Sequence, residues 1–379
     1  MSSLDPYPSC YGRPGLLLAL GLSLLGCHGT APRLAIVGNA DACRAARLAA
    51  ADANSSGGIR GRTLELEVLE EAPAVSMTDV ALLAQKLASD ARVLAVVGHS
   101  GSAASLAAAG IYNAARVTQL APTTTSPLFE RAGPYSFSLV PDDNGQVAFL
   151  AGRVGRDPAA RVALVYGNDD YGREIAIGLR RRLRARGVHV VFEAPYDPRS
   201  SAEEMGVLGA SIGLHRPTAL FWLGGVDALK QVLPQLEAAL PRLRVLGSDS
   251  FDSPTTYANA DGLLTGLRFV RFADPGEGPG MASLRARFRA ATGGDLTDEA
   301  VLAYDAVSVL AAALRAGAST REEVREYLLS LGRERPAFQG LAGPIWFGAR
   351  PAVHRGYRLA EVTAHGVVIV HDSAGGSGT

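Results

Sequence analysis

Short apolar runs recur about every 25–30 residues along this chain, and nearly all are followed by a helical stretch, the spacing of a strand and its crossover helix. RLAIVG (33–38) precedes an Ala-rich helix over 42–54, which Ser55-Ser56-Gly57-Gly58 stops. TLELEVLE (63–70) precedes a helix over 78–89, RVLAVVG (92–98) a helix over 103–115, and VTQLA (117–121) follows as a fourth strand. A second series starts after Pro141. It has a helix over 144–154, strand RVALVYG (161–167), a helix over 171–186, strands 187–194 and 217–225, a helix over 227–240 and strand RLRVLGSDS (242–250). The run 266–275 then leads to helices over 281–291, 297–316 and 320–331, and to the β-like segments GPIWF, GYRLAEVTAHG and VVIV. This rhythm predicts parallel sheets flanked by helices, an α/β chain of two doubly wound lobes.

In such sheets ligands bind beyond the carboxyl ends of the strands, where strand order reverses. Five strand-end loops are rich in Gly, Ser, Thr and Asp: VVGHSGS, LAPTTTSP, LVYGNDDYG, FWLGGVD and VLGSDS. HSGSA (99–103) and PTTTS (122–126) are hydroxyl-rich and poor in charge, and such loops beside a helix N-terminus suit a carboxylate. Ser102 is also placed to cap the helix over 103–115, a structural role that needs no ligand.

Two catalytic readings fail on spacing. Gly98-His99-Ser100 opens like a nucleophile elbow, but the fifth position, which needs Gly, is Ser102. No later His stands at a strand end with an acidic partner in the order an elbow enzyme requires. Neither VGNADAC nor VGHSGSA matches the dinucleotide fingerprint, and no phosphate-binding P-loop occurs. The seven His lack His-x-x-His spacing and the three Cys lack Cys-x-x-Cys, so no metal or cofactor is expected. Lys plus Arg equals Asp plus Glu at 37 each, which gives no electrostatic ground for a nucleic-acid partner. The Arg-rich run over 180–186 reads as a solvated helix face.

The apolar stretch GLLLALGLSLLG (15–26) follows Arg13 and ends at Cys27. It is shorter than the roughly 20 residues that span a bilayer and suits the core of a signal peptide. Leu24-Leu25-Gly26-Cys27 resembles a bacterial lipobox, which would make residues 1–27 a lipoprotein leader and Cys27 the lipidated residue. An ordinary secretory leader and an uncleaved segment are the alternatives. Only Cys43 then remains in the mature chain, which permits no internal disulfide; it reads as a helix-packing residue.

Three stretches carry a family resemblance: 96–143, from VVGHSGSAAS to SLVPDD; 162–191, VALVYGNDDYGREIAIGLRRRLRARGVHVV; and 219–251, from ALFWLGG to LGSDSF. They resemble the leucine/isoleucine/valine-binding proteins, the type 1 periplasmic solute-binding proteins of ABC transporters. The resemblance spans about 33–370. It implies two Rossmann-like lobes joined by three hinge crossovers. Lobe 1 would be 33–140 plus 274–348, and lobe 2 would be 141–273 plus 349–379. It further implies a ligand carboxylate held by Ser102 and by the loop Thr123, Thr124, Thr125. That loop and Asp249 would take the α-amino group, Tyr171 would cover the ligand, and Ser100 would line the loop. The expected partners are an amino acid or similar small carboxylate, an ABC permease and a membrane reached through the lipid anchor, with the protein a monomer. Three walls depart from the family pattern: VGNADAC and EEAPAVSM are short loops, and Val226 stands where an aromatic is common. They leave the ligand open, with a sensor or a scaffold that has lost its ligand as the alternative role.

Overall fold

The computed structural model describes residues 31–72, 75–154, 159–259, 262–272, 278–348, 353 and 356–370. The expected leader, Cys27 and the tail after 370 lie outside them.

The first series folds as β1 (Arg33–Gly38), α1 (Ala40–Ser55), β2 (Glu65–Glu70), α2 (Met77–Ser89), β3 (Val93–Gly98), α3 (Ser102–Ala114), β4 (Thr118–Ala121) and β5 (Ser136–Ser138). All strands pair in parallel, in the order β2-β1-β3-β4-β5. The central strands are apolar throughout because helices cover both faces, as in Leu34 to Val37 and Val96 to Val97, all fully buried. The sheet has one strand more than expected. β5 is only Ser-Phe-Ser and carries no apolar run to announce it.

The second series runs α4 (Asp143–Arg153), β6 (Arg161–Gly167), α5 (Asp170–Ala185), β7 (His189–Tyr196), α6 (Ala202–Leu214), β8 (Ala219–Leu223), α7 (Val226–Ala239), β9 (Arg244–Gly247), α8 (Pro254–Ala258) and β10 (Arg268–Arg271). Helix α6 is absent from the expectation above, although its capping box, Ser201 with Glu204, is present in the sequence. The chain continues through α9 (Pro279–Thr292), α10 (Asp298–Arg315), α11 (Arg321–Ser330), β11 (Phe338–Gly340), β12 (Gly343–Ile345), β13 (Arg358–Thr363) and β14 (Gly366–Val370). The second sheet is ordered β14-β13-β10-β9-β8-β6-β7; β6 to β10 are parallel, and β13 and β14 join antiparallel beside β10. The β-like C-terminal segments therefore divide. β11 and β12 form a separate hairpin, and β13 with β14 extends the second sheet.

One packing interface sets the geometry of the site. Helix α1 buries Ala42, Ala45, Ala46, Ala49, Ala50 and Ala53, and it packs against α10, which is buried along most of its length. A face of methyl groups lets the two backbones approach closely. That contact brings the first turn of α10 beside Asn39, the N-cap of α1, whose side chain accepts from Ala42 N and donates to Glu299 Oε2 at 2.6 Å. Cys43 is fully buried on the same helix, with its thiol on the Gly38 carbonyl, as a packing residue should be.

Candidate functional site

Strand order reverses between β1 and β3 in the first sheet and between β6 and β8 in the second. The loops that leave these strands are where a crevice forms.

At the end of β3 the chain turns sharply. Gly98 has φ +130°, and a β-carbon there would strike the Val37 carbonyl. The turn buries His99 completely, with Nδ1 2.5 Å from Glu71 Oε1 and Nε2 3.2 Å from the Tyr112 hydroxyl. The imidazole therefore points away from Ser100. Ser100 N donates to Glu71 Oε2 at 3.0 Å, and its Oγ donates to Glu299 Oε1 at 2.5 Å while accepting from Asn39 N at 2.9 Å. A serine locked between a carboxylate and a backbone amide has no base to activate it.

Ser102 does not cap α3. Gly101, with φ +79°, takes the cap position without a side-chain bond, and Ser102 becomes the first helical residue. Its Oγ instead accepts from Ser126 N at 3.2 Å, which ties the two hydroxyl loops together. In the second loop Thr123 and Thr125 face a cavity, while Thr124 is buried and donates to Ser105 Oγ at 2.7 Å. Thr125 also holds Asp143, accepting its amide at 2.8 Å and hydrogen-bonding its carboxyl. Burial, and secondly the charge of Asp249, push the Asp143 carboxyl well above the usual carboxylate range.

The facing wall comes from the second sheet. Gly247 ends β9 with the Phe251 ring where a β-carbon would be, and the single turn that follows presents Asp249. The Tyr171 hydroxyl, in the first turn of α5, donates to Asp249 Oδ1. Asp249 N donates to Gln146 Oε1 at 3.0 Å, and Gln146 Nε2 donates to Asp143 Oδ1 at 3.3 Å. Burial raises the pKa of Asp249 and, more strongly, that of the Tyr171 phenol.

A third contribution was not expected from sequence. Asp298 and Glu299 open α10 behind the cap Thr297. Asp298 is fixed by the buried Arg271, whose Nε donates to Oδ1 at 3.0 Å, and by Phe272 N at 2.8 Å. Arg271 also lies 3.5 Å from Asp252 Oδ1, which accepts from the Tyr257 hydroxyl at 2.6 Å. Burial and the neighbouring Asp298 charge push Asp252 up to about 7. In the sequence, Thr297-Asp298-Glu299 reads as an ordinary capped helix start, and nothing singles it out.

Ser102, Thr123, Thr125, Tyr171 and Asp249 line one cavity of about 310 Å³, with Ser250, Asp252, Phe272, Asp298 and Glu299 completing it. Ser100 lines a second chamber, of about 770 Å³, which shares Gly101, Ser102 and Tyr171 with the first. Thr124 lines neither chamber. The smaller cavity has hydroxyls and the start of α3 as donors and carboxylates as acceptors, the two functions a zwitterion needs. Among the described residues no cluster of His, Cys, Asp and Glu could hold a metal, and no helix is long and apolar enough to cross a membrane.

A sequence profile described as periplasmic binding protein matches residues 34–366. An amino acid binding protein of Pseudomonas aeruginosa is 25% identical over 293 residues, covering 76% of this chain and 77% of that protein. A Leu/Ile/Val-binding protein homolog of Brucella abortus is 26% identical over 314 residues, 81% of each chain. Among solved structures, the branched-chain amino acid transporter substrate binding protein LivJ of Streptococcus pneumoniae, in complex with isoleucine, has the same fold. Its TM-score is 0.77 at 19% identity, over 90% of this chain and 99% of that one.

Proposed function

The chain belongs to the periplasmic binding protein family, whose members bind substrates and do not transform them, and from that membership we propose that it captures an amino acid or similar small carboxylate and delivers it to an ABC permease. The observation that carries the proposal is the division of labour across the 310 Å³ cavity. Ser102, Thr123 and the amides that open α3 offer donors to a carboxylate, while the Thr125 hydroxyl is engaged by Asp143. Asp249, braced by Tyr171, offers an acceptor to an α-ammonium. Closure of one lobe on the other would exclude water and strengthen both sets of bonds. The names of relatives, amino acid binding protein and Leu/Ile/Val-binding protein, support the same ligand class. The proposed lobes are 33–140 with 274–348 and 141–273 with 349–379; that β13 and β14 join the second sheet supports the second pairing. The proposal includes a monomer tethered outside the cytoplasm through Cys27, which the apolar run 15–26 supports.

The test is thermal unfolding against the common amino acids at millimolar concentration. A ligand at a hundred times its Kd stabilises the folded state by about 2.7 kcal/mol and raises the midpoint. No rise with any amino acid would refute the proposal.

A further inference from the structure

The cavity carries more negative charge than a neutral amino acid can satisfy. Asp249, Asp252, Asp298 and Glu299 line it, and no Lys, Arg or His is among its described lining residues. Arg271 lies behind the wall and is engaged by Asp252 and Asp298. Asp249 and Glu299 are not part of that pair and come from different elements, the turn after β9 and the first turn of α10. Both are partly exposed, and neither has an ion-pair partner among the described residues. The donors they meet are neutral: the Tyr171 hydroxyl for Asp249, and the Ser100 hydroxyl and Asn39 amide for Glu299. Such donors orient a carboxylate and leave its charge uncompensated.

The Glu299 side chain, in the first turn of α10, is held in place by two other elements, the cap of α1 and the loop after β3. A zwitterionic α-amino acid brings one ammonium and one carboxylate, which the Asp249 wall and the hydroxyl wall already match. Glu299 then remains unanswered. We propose that the ligand is an α-amino acid with a second cationic group, an ammonium or guanidinium that pairs with Glu299 while Asp249 takes the α-ammonium. The proposal rests on the amino-acid reading of this cavity given above. Burial raises the pKa of both carboxylates, as expected of acids that lack a cation.

Calorimetric titration of the purified protein with lysine, ornithine, arginine, leucine, isoleucine and norleucine tests this. At least one basic amino acid should bind ten times more tightly than leucine, and Glu299→Gln should cut that ratio at least tenfold. Norleucine is lysine without its side-chain ammonium, so a tenfold gap between the two in the unaltered protein carries the test should Glu299→Gln fail to fold. Leucine or isoleucine binding as tightly as every basic amino acid would overturn the inference and leave the amino-acid reading standing. A basic preference that survives Glu299→Gln in a folded protein would overturn the role of Glu299. Binding by none of the six would overturn the inference, and the full amino-acid panel above then decides the amino-acid reading.

Discussion

Replacing Arg271 with Met removes a buried cation that holds two carboxylates at the rim of the cavity. The Arg271 side chain is 5% exposed, and those of Asp298 and Asp252 are 3% and 7% exposed. Breaking a buried pair by removing one partner costs about 3–5 kcal/mol, because the other charge stays buried without its counter-ion. Two features keep the estimate within that range although two acids lose the same cation. Asp298 retains the Phe272 amide, and Asp252 retains the Tyr257 hydroxyl. Met fills much of the Arg stem, so cavity formation adds little. With an unfolding entropy of about 2.1 cal/mol/K per residue, over roughly 340 folded residues, the loss corresponds to a midpoint lowered by about 4–7 °C. The deficit should depend on pH. Asp252 already sits at about 7, raised from an ordinary carboxylate value. Without Arg271 its pKa rises further, so the folded state protonates it and the deficit shrinks as pH falls from 8 towards 5. Calorimetric unfolding of both proteins at several pH values measures this. A deficit under about 1 kcal/mol, or one that stays constant with pH, would refute the assignment of Arg271 as the counter-ion.

Ser102→Ala should weaken ligand affinity about tenfold or more, read by titration against whichever amino acid the panel identifies, and should also lower stability by about 1 kcal/mol, because Ser126 N loses its acceptor. Asp249→Asn should abolish that binding and also stabilise the unliganded protein at neutral pH. Burial raises the Asp249 pKa, so its contribution to stability is fully present below the ordinary carboxylate pKa and is lost as pH rises through the folded value. The variant's advantage in melting temperature should therefore vanish towards pH 4. Ala46→Leu should destabilise by about 1–3 kcal/mol by forcing α1 and α10 apart, and it should weaken binding through Glu299, a coupling that parallel melting and titration would detect. Cys27→Ala should release the protein from the membrane fraction, and a variant still found there would argue against lipidation.

The repeating strands were legible because buried parallel strands must be apolar from end to end, as β6 and β8 are. The elements that went unseen lack that constraint. β5 alternates hydroxyls with one Phe at the sheet edge, and α6 carries its start signal in the Ser201–Glu204 capping box alone, outside the strand rhythm. The hydroxyl loops of the site were legible for a topological reason, since their position at strand ends is itself the signal. Thr124 shows the limit of that reasoning. Its neighbours face the cavity, whereas it turns inward to Ser105, and no pattern in PTTTS distinguishes the three. Glu299 could not have been found locally. It meets Ser100 across 199 residues of chain, and that meeting depends on how two helices pack.

Among the described residues, β13 is the strand that covers the outer side of β10, and it is built from residues 358–363. A chain emerging N-terminus first therefore holds Arg271, and with it the rim of the ligand cavity, on an open sheet edge until the region around 358–370 has appeared. Exposed edges recruit other strands and attract proteases. A product truncated before residue 358 would thus carry every side chain of the binding cavity and still be recognisable as unfinished.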